Sequence, residues 1–161
     1  FLPYLTGERC PHPDPTARGG WIGLTARHDR PAMIRAVLEG ITFGMNDALQ
    51  IMEEMGIGLK TVRLSGGGAK SPFWRQLQAD IYNKTCAIIN SDEGPAYGVA
   101  LLAGVGTGVW KNTPEACRAC ISEVDTFKPD RKLAGRYAQH HAQYQRLYHA
   151  LKEEFANIAR L

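Results

Sequence analysis

The sequence predicts an α/β fold in which a layered sheet is covered by helices. Two short β-type runs, at 61–65 and 86–90, are each followed by a longer stretch whose apolar residues recur at helical spacing. Hydrophobic residues make up 44% of the 161 positions, which is enough for the core of one domain. Alternation of strands and helices is typical of α/β proteins, so we expect a sheet flanked by helices.

The first part of the chain is expected to hold an extended segment, a short strand and a long helix. Residues 1–20 are rich in proline, glycine and polar groups, and WIGLT at 21–25 predicts a strand. Pro31 suits the first turn of a helix, and Gly56 suits its end. Between them, apolar residues recur at helical spacing: Ile34, Val37, Leu38, Ile41, Met45, Ala48, Leu49 and Met52.

The middle of the chain places three consecutive glycines between a strand at 61–65 and an amphipathic helix at 72–83. We name residues 66–71 the glycine turn. Because glycine has no Cβ, a flat ring or a phosphate can approach this backbone closely. Exposed N–H groups at the following helix start favour a polar or anionic ligand. The spacing matches neither G-x-G-x-x-G nor a P-loop, so the glycines alone leave a ligand-free turn as the alternative.

After the strand CAIIN at 86–90, a helix is expected from Gly94 through GPAYGVALLAGVGTGVW. Its small residues would allow close packing on a sheet: Gly98, Ala100, Ala103 and Gly104. A short helix near 114–121 and a loop at 124–130 should follow. The final helix, 131–160, carries one apolar face that favours docking on the domain over a coiled coil. That face comprises Tyr137, His141, Tyr144, Tyr148, Leu151, Phe155 and Ile158.

Composition argues against several classes of protein. The net charge is +3 and the 19 basic residues are scattered, which argues against a nucleic-acid partner. No apolar run reaches 18 residues, and the first residues lack a signal-peptide pattern, so no membrane association is expected. The cysteines are 10, 86, 117 and 120, and the C-x-x-C pair is expected to be ordinary apolar residues. Cysteines that are few and irregularly spaced favour a reducing, cytoplasmic setting.

The sequence does not contain a complete catalytic set. Ser65 and Ser71 have no histidine nearby, and the adjacent His140 and His141 point to different sides of a helix. Phosphoryl transfer needs a base, a magnesium carboxylate and a phosphate cradle. The acids lack metal-ligand spacing: Asp14, Asp47, Asp80, Asp92 and Glu93. Only a nucleotide contact is evident, so the chain is expected to hold half of a site.

Four segments together resemble the C-terminal domain of FGGY-type carbohydrate kinases, in the family's order. They are FLPYLTGERCPH (1–12), GGWIGLTARHDRPAMIRAVLEG (19–40), SGGGAKSPFWRQLQADI (65–81) and EGPAYGVALLAGVGTG (93–108). Within the family they are most similar to the xylulose kinases. The second signature of the family is carried by Gly19, Trp21, Gly23, Leu24, Met33 and the run Ala36-Val37-Leu38-Glu39. Ala32 departs from this signature, which usually has a polar or acidic residue there.

The resemblance implies an actin-like ATPase domain of the ribonuclease H-like type, with a mixed sheet flanked by helices. Residues 1–161 would form the C-terminal nucleotide-binding domain, and an N-terminal sugar and phosphate domain would precede Phe1. ATP and Mg²⁺ would bind in the cleft between the two domains. The cofactor-binding residues implied are Gly67, Gly68 and Ala69 against adenine or ribose, with Lys70 and Ser71 at the rim. Ser71 would replace the asparagine that relatives often use as the polar adenine contact.

The implied reaction is transfer of the ATP γ-phosphate to D-xylulose to give D-xylulose 5-phosphate. The catalytic aspartate would precede Phe1, so this chain alone is expected to be inactive, with no catalytic residue and no metal site. Glu8 and Arg9 are expected to brace the interdomain cleft, in a structural ion-pair role rather than a catalytic one. Alternatives are a kinase of glycerol, ribulose, fuculose or gluconate, or a non-catalytic nucleotide-binding or oligomerisation module. An exposed interdomain face would promote self-association, for example as a homodimer.

Overall fold

The computed structural model describes residues 1–92 and 94–161, so Glu93 lies outside the described residues. Helices and strands follow in the order α1 (Arg30–Glu54), β1 (Thr61–Leu64), α2 (Pro72–Tyr82), β2 (Thr85–Ile89), α3 (Gly94–Gly106), α4 (Thr113–Cys120), β3 (Glu123–Phe127) and α5 (Arg131–Ile158). The chain divides into two compact units. The helical unit comprises Phe1–Leu59, Asp80–Asn83 and Pro129–Leu161, and the sheet unit comprises Lys60–Ala79 and Lys84–Lys128.

The sheet unit is built on a mixed three-stranded sheet with the order β1-β2-β3. Strands β1 and β2 are parallel, with Thr61 opposite Thr85, and β3 runs antiparallel to β2 with Phe127 opposite Cys86. Cys86 and Ala87 on the central strand are completely buried. The predicted α/β class with a mixed sheet flanked by helices is therefore confirmed. The assignment of all 161 residues to one domain stays a prediction.

Two local predictions were wrong for reasons that the pairing explains. The predicted loop at 124–130 contains β3, whose sequence EVDTF is mostly exposed and lacks an apolar pattern. Pairing with β2 makes this segment a strand. The predicted strand at 21–25 is absent, because only Gly20 pairs, in a single antiparallel bridge with Leu2. Trp21, Ile22 and Leu24 are exposed instead.

Helix α3 also ends earlier than predicted, at Gly106. Gly108 has a left-handed φ of +81°, which few other residues adopt, and it turns the chain out of the helix. A Cβ on Gly104 would lie only 2.2 Å from the Trp110 ring, so this glycine packs against the indole. Gly98, Ala100 and Ala103 are exposed rather than packed on the sheet.

The helical unit confirms the long helices α1 and α5. Asp29 and Asp130 cap them by accepting hydrogen bonds from backbone N–H groups of the first turn. The aromatic face of α5 is buried against α1 and the N-terminal segment. Ring centroids are 5.5 Å apart for Phe43 and Tyr144, and 5.7 Å apart for Tyr4 and Tyr148. The face from Tyr137 to Phe155 therefore docks within its own unit, as the sequence favoured, whereas Ile158, also predicted on it, is 54% exposed near the helix end.

A buried polar network connects α1 and α5. His141 Nε2 donates to Asp47 Oδ1 at 2.8 Å, and Gln145 Nε2 donates to the same oxygen at 2.7 Å. Asn46 Nδ2 lies 3.2 Å from His141 Nδ1 and donates to it, which places the imidazole proton on Nε2. Asp47 and His141 are only 3% and 4% exposed. His141, on the buried face, and the exposed His140 point to different sides, as predicted.

A second buried carboxylate, Asp14, fixes the N-terminal segment to α5. Its Oδ1 accepts hydrogen bonds from the Thr16 hydroxyl at 2.6 Å and from the backbone N–H of Thr16 and Ala17. Its Oδ2 accepts from the Tyr148 hydroxyl at 2.9 Å, and burial raises the pKa of Tyr148 to about 12. These hydrogen bonds, that of the Thr16 hydroxyl above all, hold the pKa of Asp14 below its usual value.

Replacing Asp14 with asparagine is expected to lower stability at pH 7 by about 1–2 kcal/mol, because the hydrogen bonds lose their charge. A lowered folded-state pKa stabilises the protein above the unfolded-state value, near pH 4, and this contribution disappears as pH falls through the folded-state pKa. The difference between wild type and Asp14→Asn should therefore shrink from pH 5 to pH 2.5 in urea unfolding. A difference that stays constant over this range would contradict the assignment.

Candidate functional site

The candidate site lies at the carboxyl edge of the sheet in the sheet unit. Because β1 and β2 are parallel, their carboxyl ends meet at one edge, where α/β proteins commonly bind ligands. The glycine turn follows β1, and α3 begins after β2. A Cβ on Gly94 would lie 3.2 Å from Ser65 Oγ, so the start of α3 is close to the end of β1. The sheet therefore brings two loop-to-helix junctions together.

The glycine turn has a defined backbone. Gly66 adopts a left-handed φ of +78°, and Gly67–Lys70 then form a short 3₁₀ helix. The N–H of Ala69 donates to Gly66 O at 3.1 Å, and the N–H of Ser71 donates to Gly68 O at 3.3 Å. Helix α2 begins at Pro72, as the sequence predicted. All five predicted cofactor-binding residues therefore lie on one compact turn.

The three glycines have different surroundings, and only two of them are required by the structure. Gly66 needs the left-handed conformation, which disfavours other residues. Gly68 packs on the half-buried Trp74, because a Cβ there would lie 2.8 Å from the indole ring. Gly67 has neither constraint, since its φ is ordinary and an added Cβ would meet no atom within 4 Å. Its backbone is exposed to solvent.

Two polar side chains lie on the C-terminal side of the glycine turn. Ser71 is half-buried, and its Oγ accepts a hydrogen bond from the N–H of Trp74 at 3.3 Å at the start of α2. A serine hydroxyl that accepts one hydrogen bond still has its own proton to donate. Lys70 is exposed and ends the 3₁₀ helix. The turn thus combines an open backbone with a hydroxyl donor and an ammonium group.

Glu8, for which a structural ion-pair role at the cleft stays a prediction, accepts hydrogen bonds from its own loop in the structure. Glu8 Oε1 accepts hydrogen bonds from the backbone N–H of Arg9 at 2.7 Å and of Cys10 at 3.1 Å. The backbones of Glu8 and Asp14 also pair in an antiparallel bridge. The carboxylate therefore stabilises its own loop by accepting from two adjacent N–H groups.

A cavity of about 660 Å³ in the helical unit contains none of the predicted site residues. Its lining includes Asn46, Gln50, Asn83, Arg131 and His141. His141 is already engaged by Asp47 and Asn46 in the buried network. The cavity presents no nucleophile beside a base, so the site remains at the glycine turn.

Within residues 1–92 and 94–161, no group of three or more histidine, cysteine, aspartate or glutamate side chains could hold a metal ion. Cys117 and Cys120, on α4, are half-buried free cysteines that form no disulfide. In the same part of the chain, no helix has the length and apolar character needed to cross a bilayer.

Comparison with known proteins gives concordant results. Residues 1–107 match the sequence model of the FGGY family of carbohydrate kinases, C-terminal domain. The xylulose kinase of Staphylococcus epidermidis is 40% identical over 159 residues, which is 98% of this chain and 32% of that protein. The chain thus spans about a third of the length of the curated relatives it matches.

Solved structures give the same result. The ligand-bound xylulose kinase from Lactobacillus acidophilus matches with a TM-score of 0.89 and 31% identity, covering 98% of this chain and 32% of that one. The gluconate kinase from the same organism matches with a TM-score of 0.88, 31% identity and the same coverage of both chains.

Proposed function

Because this chain belongs to the FGGY family of carbohydrate kinases, we propose that it is the ATP-binding half of a xylulose kinase. The whole protein would transfer the γ-phosphate of ATP to D-xylulose and release D-xylulose 5-phosphate. The 40% identity to the xylulose kinase of Staphylococcus epidermidis supports this choice of substrate. The chain would contribute the C-terminal, nucleotide-binding domain of that kinase.

The observation that carries the proposal is the open backbone at Gly67. Gly66 and Gly68 are explained by backbone conformation and by packing, but a side chain at Gly67 would meet nothing. A glycine that the free protein does not need is consistent with a bound group that occupies the space of a Cβ. A nucleoside has the required flat ring and sugar.

The residues fit the nucleoside part of ATP. Gly67, Gly68 and Ala69 would lie against adenine or ribose, and Ser71 would donate a hydrogen bond to a ring nitrogen. Lys70 would place its positive charge at the rim of the nucleotide site. ATP supplies the γ-phosphate, and this chain binds and orients the nucleoside. The described residues contain no carboxylate cluster for the expected Mg²⁺, so they contribute no step through the metal.

Gluconate kinase activity is the second candidate. The Lactobacillus acidophilus gluconate kinase resembles this chain as closely in structure as the xylulose kinase does. The likeness of this domain therefore does not separate the two sugars. An assay of the full-length protein on D-xylulose, gluconate, glycerol, ribulose and fuculose would decide. The highest kcat/KM is expected for D-xylulose, and a preference for gluconate would replace the first candidate.

Three further expectations remain proposals. They are a cytoplasmic location, self-association as a homodimer, and, as an alternative to catalysis, a non-catalytic nucleotide-binding module. Exposed apolar side chains such as Trp21, Ile22 and Leu24 support the second. Sedimentation of the chain over a range of concentrations would test it, and a monomer at every concentration would exclude it.

Replacing Gly67 with alanine is expected to weaken ADP binding at least about tenfold, which is about 1.4 kcal/mol. The added methyl group has room in the free protein and would occupy the space of the ligand. Isothermal titration of the full-length protein with ADP would measure the change. Thermal unfolding should be almost unchanged.

The matched control is Gly98→Ala on the exposed surface of α3, where a Cβ also meets nothing within 4 Å. This variant should bind ADP as the wild type does. Gly68 is less suitable for the test, because its Cβ would collide with Trp74 and disturb the fold. Equal ADP affinity in Gly67→Ala and wild type would count against a nucleotide on the glycine turn.

A further inference from the structure

We propose that Arg75 is a positioning residue for the nucleotide, because it holds the glycine turn through the carbonyl of Ala69. The inference rests on the proposed function of this turn and adds a residue that contacts the turn rather than the ligand. Arg75 lies in the first turn of α2 and is half-buried.

Two hydrogen bonds connect Arg75 to the glycine turn. Arg75 Nε donates to the carbonyl oxygen of Ala69, and its backbone N–H donates to Ser71 O at 3.0 Å. The first bond reaches six residues back along the chain, so it is not part of the helical pattern. It constrains Ala69, which carries one of the predicted nucleoside contacts.

The guanidinium group also contacts the sheet, through an aromatic ring of β3. Its central carbon lies 5.5 Å from the centroid of the Phe127 ring on β3, within the range of a cation–π contact. The next residue, Gln76, donates from Nε2 to Lys128 O at 2.9 Å, just beyond β3. Phe127 pairs with the fully buried Cys86 of β2. Arg75 thus connects the glycine turn to a rigid part of the sheet.

Such a connection matters because the turn is intrinsically flexible. Three successive glycines lose more conformational entropy on ordering than other residues do. A turn that is not ordered in advance must be ordered on binding, at the expense of affinity. Arginine suits the task because its planar group can donate through Nε while its face contacts an aromatic ring.

The test compares Arg75→Met and Arg75→Lys in the full-length kinase. For Arg75→Met, the KM for ATP and the Kd for ADP should rise about tenfold, while kcat and the KM for the sugar stay within twofold. Arg75→Lys should give intermediate values, because an ammonium retains the charge but cannot reproduce the guanidinium geometry. Arg63→Met removes another arginine of the sheet unit, paired with Glu123 at 3.2 Å, and should leave ADP binding unchanged.

Hydrogen exchange without nucleotide supplies an independent readout. The N–H groups of Ala69 and Ser71 should exchange several-fold faster in Arg75→Met than in wild type or Arg63→Met. Wild-type ADP affinity and unchanged exchange in Arg75→Met would overturn this inference alone. Parallel losses in kcat, both KM values and melting temperature would also overturn it, because they indicate general destabilisation. A wild-type protein that binds no ADP would overturn the proposed function and this inference with it.

Discussion

Supplied with ATP and D-xylulose, the 161-residue chain alone is expected to form no detectable D-xylulose 5-phosphate. Its turnover should lie at least about 10³-fold below that of the full-length protein, which is the order of magnitude of a general base's contribution. The acceptor hydroxyl needs a base and the transferred phosphate needs a cradle. The described residues include the glycine turn and, among themselves, no group of three or more histidine, cysteine, aspartate or glutamate side chains that could hold a metal ion.

Direct detection of the phosphorylated sugar by mass spectrometry is the appropriate measurement, since ADP release also reports simple ATP hydrolysis. The full-length protein in the same buffer is the positive control. ADP titration of the isolated chain shows whether its glycine turn is folded. Turnover that co-purifies with the chain and falls in Gly67→Ala would contradict the half-site interpretation.

Replacing His141 with alanine is expected to lower the free energy of unfolding by about 3 kcal/mol, because a buried carboxylate loses a hydrogen bond and the imidazole leaves a cavity. His141 donates the hydrogen bond to Asp47 Oδ1, and Asp47 is 3% exposed. Asp47 Oδ2 is already buried without a hydrogen-bond partner among the described residues. The variant would leave the carboxylate with only the Gln145 donor. Urea unfolding at pH 7 measures the change.

The neighbouring His140→Ala is the matched control, because His140 is exposed on the same helix. Its effect should stay within about 0.5 kcal/mol. Adding Asp47→Asn to His141→Ala should recover part of the loss, since the buried charge is then removed. A loss below 1 kcal/mol for His141→Ala would mean that the network contributes little to stability.

Helix α5 could be predicted because it buries an aromatic face that leaves a periodic pattern in the sequence. Helix α1 also showed apolar residues at helical spacing, but its buried residues are Gly40, Thr42, Phe43, Asn46 and Asp47, which that pattern did not mark. Strand β3 could not be predicted, because its residues are mostly exposed and only the pairing with β2 makes it a strand. The strand expected at 21–25 failed for the converse reason. Its apolar residues form a suitable pattern, but beyond Gly20 the described residues give them no partner strand.

The position of the glycine turn could also be predicted, since three glycines between a strand and a helix are a local signal. Arg75 was missed because its role depends on contacts with Ala69 and Phe127, which lie 6 and 52 positions away. No local pattern marks an arginine in the first turn of a helix as a support for the preceding turn. The backbone hydrogen bonds of Glu8 could not be predicted, because the sequence does not reveal which N–H groups turn towards a carboxylate.

The sequence by itself determined the α/β class, the family resemblance, the long helices and the place of the glycine turn. These follow from periodicity and from short motifs, which depend on residues near each other in the chain. Only the tertiary structure separated the roles of the three glycines. Gly66 depends on backbone conformation and Gly68 on the Trp74 ring, whereas Gly67 is open. The physical reason is that the consequence of lacking a Cβ depends on which atoms surround that position in the folded protein.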